Sequence, residues 1–341
     1  MITVYSDEHK YHHGSGELFR GSVVPCVENP DRASEILSRI RTIGLGDVRP
    51  AHDFGLSPVY RVHTERFIAF LQSAFDQWKS ISDNPDALPS AWTSHRPSAE
   101  EPQSINGWLG YYSFDAGTPI TAGTWRAAKA AADTALTAQA IVREGAPAAF
   151  ALTRPPGHHA SSEQYGGYCF LNNAAIAAEA MLRDGADRVA IIDIDYHHGN
   201  GTQAIFYDRS DVLFVSIHAD PAQEYPFYHG YAQETGNESG EGFNVNYPLP
   251  IGTGWERYRE ALDDGLRRIS TYGPDALVVS LGVDTFDGDP LGKFRLTSDN
   301  FTEIGRRISE LSTPTLFILE GGYDLESIGL NVTNVLCGFE E

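Results

Sequence analysis

Two hydrophobic rhythms alternate along this chain. Short, nearly unbroken apolar runs such as Val189–Ile194 and Ala276–Leu281 have the character of strands buried on both faces. Longer stretches between them repeat apolar positions every three or four residues, as amphipathic helices do. The pattern predicts a strand at Ile2–Tyr5 and a helix from Ala33 to Ile43, opened by Asn29-Pro30-Asp31-Arg32 and stopped at Gly44. A second helix runs from Thr64, as N-cap, to about Lys79, and an Ala-rich one from Thr124 to Glu144. Strands at Ala148–Thr153, Val189–Ile194, Val212–Ile217, Ala276–Leu281 and Thr315–Leu319 then alternate with helices. Those helices are at Asn173–Leu182, near Thr202–Tyr207, and at Trp255–Tyr272, Ser298–Leu311 and Leu325–Leu336. Such alternation implies a parallel sheet with helices on both faces.

Two stretches fall outside this rhythm. Residues between Ile217 and Trp255 read as irregular. Residues 80–107 carry Pro85, Pro89, Pro97 and Pro102 among Ser, Asn, Asp and Glu. A loop of that length in a compact unit is usually functional or an interaction segment. Trp92 and Trp108, read as exposed at its two ends, favour an interface; a surface insertion is the plainer alternative.

Polar chemistry gathers where the predicted strands end. One strand runs into Arg154-Pro-Pro-Gly-His-His159, the next into Asp193-Ile-Asp-Tyr-His197, a third into Gly282-Val-Asp284 and a fourth into Glu320-Gly-Gly-Tyr323. Carboxyl ends of parallel strands are where open α/β sheets bind ligands. Alternation along an extended strand turns Asp195 and His197 to one side, with Asp193 if the strand persists that far. A carboxylate and an imidazole are two ligands of a first-row metal site, and Asp284 is the natural third. Three protein ligands leave one position open, the catalytic pattern for zinc. His158 and His159 supply bases that titrate near neutrality. A phenol after two glycines, Tyr323, suits a developing oxyanion. The bland alternatives are a solvated strand end with capping aspartates, a structural histidine pair and an ordinary Gly-Gly-Tyr turn.

Composition narrows the partners. The chain has 341 residues and a formal charge of −21, from 25 basic and 46 acidic residues. Such a surface repels nucleic acid and draws cationic substrates toward a cleft. Lysine occurs only at positions 10, 79, 129 and 293, a composition shared by halotolerant and by ordinarily acidic proteins. No apolar run is long enough for a membrane span, and Met1–Tyr5 does not open a secretory signal. Three widely spaced cysteines, Cys26, Cys169 and Cys337, fit reduced thiols in a cytoplasmic setting.

These motifs, with Gly166-Gly-Tyr-Cys-Phe-Leu-Asn-Asn173, resemble the histone deacetylase family, in particular its bacterial acetylpolyamine amidohydrolase branch. The likeness runs from Asn29 to the C-terminal helix. It implies one deacetylase domain over residues 1–341, an arginase/deacetylase-like three-layer α/β fold with a central, mostly parallel sheet flanked by helices. It implies Zn2+ on Asp195, His197 and Asp284, with Fe2+ as the alternative. His159 would be the general base and His158 its partner, with Asp193 and Asn200 behind them and Tyr323 stabilising the oxyanion. Potassium would sit at Asp193, Asp195, His197, Ser216 and Ile217, and a second ion at Phe206, Arg209, Val212 and Phe243. Tyr168 and Tyr225 would line the substrate tunnel, and Arg32 the acetate exit. The 80–107 loop would pair two subunits into a homodimer and narrow each tunnel. Polyamine-specific relatives carry acidic residues where this chain has Asn106 and Gly117, and Asp115 stands nearby.

The expected function is deacetylation of a small cationic acetylated amine: a polyamine, or a short diamine such as acetylputrescine or acetylcadaverine. A protein acetyl-lysine deacetylase and an inactive ligand-binding module on the same fold are the alternatives. A two-manganese ureohydrolase would want more bridging carboxylates than these motifs hold.

Overall fold

The structure, a computed structural model, describes residues 1–92 and 101–341. Among these, the strands are β1 (Ile2–Tyr5), β2 (Glu17–Phe19), β3 (Ser22–Val24), β4 (Val48–Pro50), β5 (Ala148–Leu152), β6 (Val189–Asp193), β7 (Val212–Ala219), β8 (Asn244–Leu249), β9 (Ala276–Leu281) and β10 (Thr315–Leu319). The helices are α1 (Asp31–Ile43), α2 (Glu65–Lys79), α3 (Ile105–Tyr112), α4 (Thr124–Arg143), α5 (Asn173–Arg183), α6 (Asn200–Phe206), α7 (Trp255–Tyr272), α8 (Ser298–Ser309) and α9 (Ile328–Glu340). Eight strands form one sheet in the order β4-β1-β5-β10-β9-β6-β7-β8, and every pairing in it is parallel. β2 and β3 make a separate antiparallel hairpin.

The apolar runs divide by alternation between the two faces. Ile191, Val278 and Ile318 point into a core with α2, α4 and α5. Their chain neighbours Ile192, Val279 and Phe317 point into a second core with α1, α7, α8 and α9. Burial on both sides is why these strands read as continuous hydrophobic runs. Thr64 caps α2 by accepting the Phe67 N–H, and Gly44 closes α1 in the left-handed region at φ 65°.

The elements that escaped the pattern are short or polar. β8 (Asn-Val-Asn-Tyr-Pro-Leu) lies at the sheet edge, where asparagine and proline are tolerated. β4 and the hairpin strands have three residues each, and α3 contains two glycines. The irregular interval is therefore shorter than expected, and the loop after α2 ends at Ser104. Residues 93–100, the middle of that loop with Pro97, lie outside the described residues. Its flanks are pinned: Asp86 accepts from the Ser15 and Gly16 N–H groups, and Trp92 donates to Ser113. Trp108 is half-buried and stacks on Tyr112 of its own chain, contrary to the exposed reading.

The middle of the sheet positions the site. β5, β10, β9 and β6 are neighbours, so the four polar strand ends open onto one edge. α8 and α9, which cover β9 and β10, cross at glycines: a Cβ on Gly305 would lie 2.0 Å from the Val335 carbonyl oxygen. Replacing Gly305 by Ala should therefore force the helices apart and lower stability by ~1–3 kcal/mol. Urea unfolding checks this; a wild-type midpoint would contradict so close a crossing.

Candidate active site

Asp195, His197 and Asp284 converge beyond the ends of β6 and β9. Their ligand atoms all lie within 4.8 Å of one another, with Asp195 1% and Asp284 0% exposed. The route to this geometry differs from the expected strand alternation. β6 ends at Asp193, and the chain then turns on its own aspartates. The Asp195 N–H donates to Asp193 Oδ1 (3.1 Å), and the His197 N–H donates to Asp195 Oδ1 (2.9 Å). Successive side-chain-to-backbone turns, not a pleat, bring Asp195 and His197 together. The Tyr196 N–H donates to Asp284 Oδ1 (2.8 Å), and His197 Nδ1 faces Asp284 Oδ2 at 3.0 Å.

These residues fit a divalent cation. Burial and the neighbouring Asp195 charge push the Asp284 carboxyl up to about 7. Among the described residues no Lys or Arg pairs with either carboxylate. A cation between them would offset the repulsion that two buried like charges create. Glycines leave the necessary room: a Cβ on Gly321 would lie 2.6 Å from both Asp195 Oδ2 and Asp284 Oδ2. The donor set, two carboxylates and one imidazole, is one that divalent ions accept.

The tandem histidines differ in what stands behind them. His158 Nδ1 donates to Asp193 Oδ2 (2.9 Å) and His159 Nδ1 to Asn200 Oδ1 (2.7 Å), since each oxygen accepts. Their rings are 4.0 Å apart. Burial opposes charge on both. For His158 the Asp193 and Asp195 carboxylates override burial and hold the pKa well above its usual value. For His159 burial is reinforced by His158 and His197, and the neutral Asn200 amide is too weak to offset them, so its pKa falls well below 6.5. The pair is thus divided into a charged ring and a neutral ring whose Nε2 is free to accept a proton, and His159 is the one that lines the cavity.

Glu320 fixes this pair to the end of β10. Its Oε2 accepts the Gly157 N–H (2.6 Å) and the His158 N–H (3.1 Å). The following turn is held from several sides. The Gly321 N–H donates to Asp195 Oδ2 (2.8 Å), Gly322 has φ 121°, and the Tyr323 N–H donates to Asp289 Oδ2 (2.7 Å). Arg32 is fully buried and donates to the carbonyls of Gly322 and Glu320 (2.5 Å each) and to Glu28 (2.9 Å). Its guanidinium lies 4.7 Å over the Tyr323 ring. In this structure Arg32 clamps the tyrosine turn.

A cavity of about 470 Å³ leads to His159, His197 and Tyr323. Tyr168 and Tyr225 line it, with Gly117, Asp115 and Glu17. Asp115 acts as a wall tie: its Oδ2 accepts from the Gly167 N–H (2.5 Å) and the Tyr225 hydroxyl (2.9 Å), and its Oδ1 from the Gly117 N–H (3.1 Å). Glu17 accepts from the Tyr168 hydroxyl (3.1 Å), and burial pushes its carboxyl up to about 7. Asn106 is not brought to this cavity; it is exposed on α3 because the helix starts at Ile105 and turns that residue outward.

Of the residues read as potassium sites, Asp193 pairs with Ser216 across β6 and β7, beside Ile217. The Phe206 carbonyl accepts from the Arg209 N–H, and the Phe243 carbonyl from the Phe214 N–H, two residues after Val212 in β7. Sequence reasoning gave no part to Asp289, Glu17 or the Glu320 carboxylate. A turn signal in Gly288-Asp-Pro-Leu-Gly292 could have flagged Asp289, while Glu17 has no local signature.

The histone deacetylase domain pattern matches residues 26–339. The chain is 55% identical over 340 residues to acetylpolyamine amidohydrolase 2 of Pseudomonas aeruginosa, covering 100% of this chain and 99% of that protein. It is 45% identical over 338 residues to the acetylpolyamine amidohydrolase of Mycoplana ramosa, covering 99% of each. A crystal structure of acetylpolyamine aminohydrolase from Burkholderia pseudomallei superposes with a TM-score of 0.95 at 40% identity, covering 99% of this chain and 98% of that one.

The glycine cradle yields a direct test. A Gly321→Ala substitution should lower zinc affinity by at least ~10-fold, as disturbing a metal site's supports does, while far-ultraviolet circular dichroism stays unchanged. Unaltered zinc affinity in competition with a chromogenic chelator would show that Gly321 does not shape the site.

Proposed function

The chain belongs to the histone deacetylase family, and from that premise we propose that it releases acetate from N-acetylated polyamines or short diamines, of the acetylputrescine, acetylcadaverine or acetylspermidine type. The observation that carries this reading is the meeting, at the inner end of one cavity, of the Asp195-His197-Asp284 cluster, His159 and Tyr323. Asp195, His197 and Asp284 would hold the metal, zinc with ferrous iron as the alternative. An ion bound there supplies Lewis acidity, polarising an acyl oxygen and lowering the pKa of water toward ~7.

The remaining chemistry belongs to side chains. His159, kept neutral, takes the proton of the attacking water at Nε2. The Tyr323 hydroxyl donates to the carbonyl oxygen as charge develops on it. His158, kept charged by Asp193, provides the proton that the leaving amine needs. Arg32, Asp289 and Glu320 keep these groups in register, so their contribution is orientation.

Substrate choice follows from the walls. Tyr168 and Tyr225 enclose a slender chain, and the acidic surface favours a cation. Because Asp115 is engaged with three wall donors, it shapes the tunnel instead of binding the amine. We place the whole chain in one deacetylase domain that forms a homodimer through the 80–107 loop; Asn106 would meet a substrate only across that dimer. The two residue sets that include Ser216 and Phe243 would carry structural potassium. Its three unpaired cysteines fit a reducing, cytoplasmic setting.

Three experiments bear on this reading. Tyr323→Phe should cut turnover of N-acetylputrescine by roughly 10²-fold with zinc content intact; near-normal turnover would remove Tyr323 from the chemistry. A side-by-side assay with an acetyl-lysine peptide should favour the small amine, and the reverse preference would favour a protein substrate. Asn200→Asp places a negative charge behind His159 and should raise its pKa by about one to three units. Because the base must be deprotonated, the acid limb of the kcat/KM profile should move to higher pH; an unmoved limb would mean that His159 is not the base.

A further inference from the structure

Behind the histidine pair lies a second group of donor atoms. His158, Cys169 and Glu320 each offer an atom within 4.8 Å of the others, and all three are buried, Cys169 and Glu320 at 0% exposure. Each has capacity to spare. Glu320 Oε2 takes the Gly157 and His158 N–H groups, but Oε1 is buried without a hydrogen-bond partner. A buried carboxylate oxygen with nothing donating to it is costly and invites a ligand. His158 uses Nδ1 on Asp193, which leaves Nε2. Cys169 Sγ has the Gly167 carbonyl at 3.3 Å, a weak thiol contact. Imidazole, thiol and carboxylate are ligand types that zinc accepts, and the sulfur favours softer ions. The chain neighbours His159, Gly167 and Tyr168 line the cavity.

We propose that His158, Cys169 and Glu320 form a second, weaker site for zinc or a similar soft divalent cation, and that filling it halts turnover by removing His158 from proton transfer. Binding forms metal–sulfur, metal–nitrogen and metal–oxygen bonds, and the Cys169 thiol proton and the His158 Nε2 proton both leave to solvent with no change of oxidation state. The need to release those protons makes this site fill after Asp195, His197 and Asp284. The inhibitory consequence rests on the deacetylase reading above; the binding does not.

The test begins with protein carrying one equivalent of zinc, to which zinc chloride or cobalt chloride is added. With cobalt, a thiolate charge-transfer band should appear in the near ultraviolet as the second ion binds. With zinc, N-acetylputrescine hydrolysis should fall as that equivalent is taken up. Cys169→Ser should abolish the band and require at least ~10-fold more zinc for equal inhibition. Glu320→Gln, which keeps an oxygen for the Gly157 and His158 N–H groups, should weaken the second ion similarly. A second equivalent bound without the band, no second equivalent, or unchanged inhibition in both variants overturns the proposal. If the one-zinc protein hydrolyses no acetylated amine, the deacetylase reading fails, while the cobalt band still decides the second site.

Discussion

Two carboxylates buried side by side set the terms for this molecule. Asp195 and Asp284 are shielded from water, lie within 4.8 Å of each other and His197, and among the described residues have no Lys or Arg ion pair. Leaving them so is expensive, and neutralising one by protonation answers only part of the cost. The surroundings hold both as ligands that a divalent ion would need. Backbone N–H groups of Tyr196, His197 and Gly321 point at their oxygens, and glycines at positions 282 and 321 stay out of the way. The sheet makes this possible because β5, β10, β9 and β6 end side by side.

Around that point the chain places groups whose charge states are set by neighbours. Asp193 behind His158 and Asn200 behind His159 turn two adjacent imidazoles into unlike partners. Glu320, Asp289 and Arg32 hold the histidine turn and the tyrosine turn against each other through backbone contacts. These residues touch mostly main chain, so their effect is to limit motion of the reacting groups. The tunnel wall uses the same device, with Asp115 joining Gly117, Gly167 and Tyr225.

What could be read in the sequence depended on how local its signal was. β5, β6, β9 and β10 were legible because burial on both faces makes each a continuous apolar run. α7 and β9 have the bounds that the pattern predicts. β8 was not legible, since its edge position lets Asn244, Asn246 and Pro248 replace the usual strand residues. The metal cluster and the histidine pair were found because strand ends concentrate polar residues within a few positions. The reason given for Asp195 and His197 facing together was wrong in detail, because the strand stops at Asp193 and the turns do the work. Glu17 and the part played by Asp115 depend on contacts tens of residues apart and leave no local trace, while Asp289 shows locally only as a turn. Trp108 packs on Tyr112, one turn on in α3, a helix whose two glycines hid it in the pattern.

The central claim is that Asp195, His197 and Asp284 together hold one ion on which acetate release depends. The most direct measurement is a zinc titration of chelator-stripped protein, following bound metal and acetate released from N-acetylputrescine in the same samples. Stripped protein should release no acetate, and release should rise in proportion to bound zinc up to one equivalent. Acetate release by the stripped protein, or full binding of the first equivalent with no release, would contradict the claim.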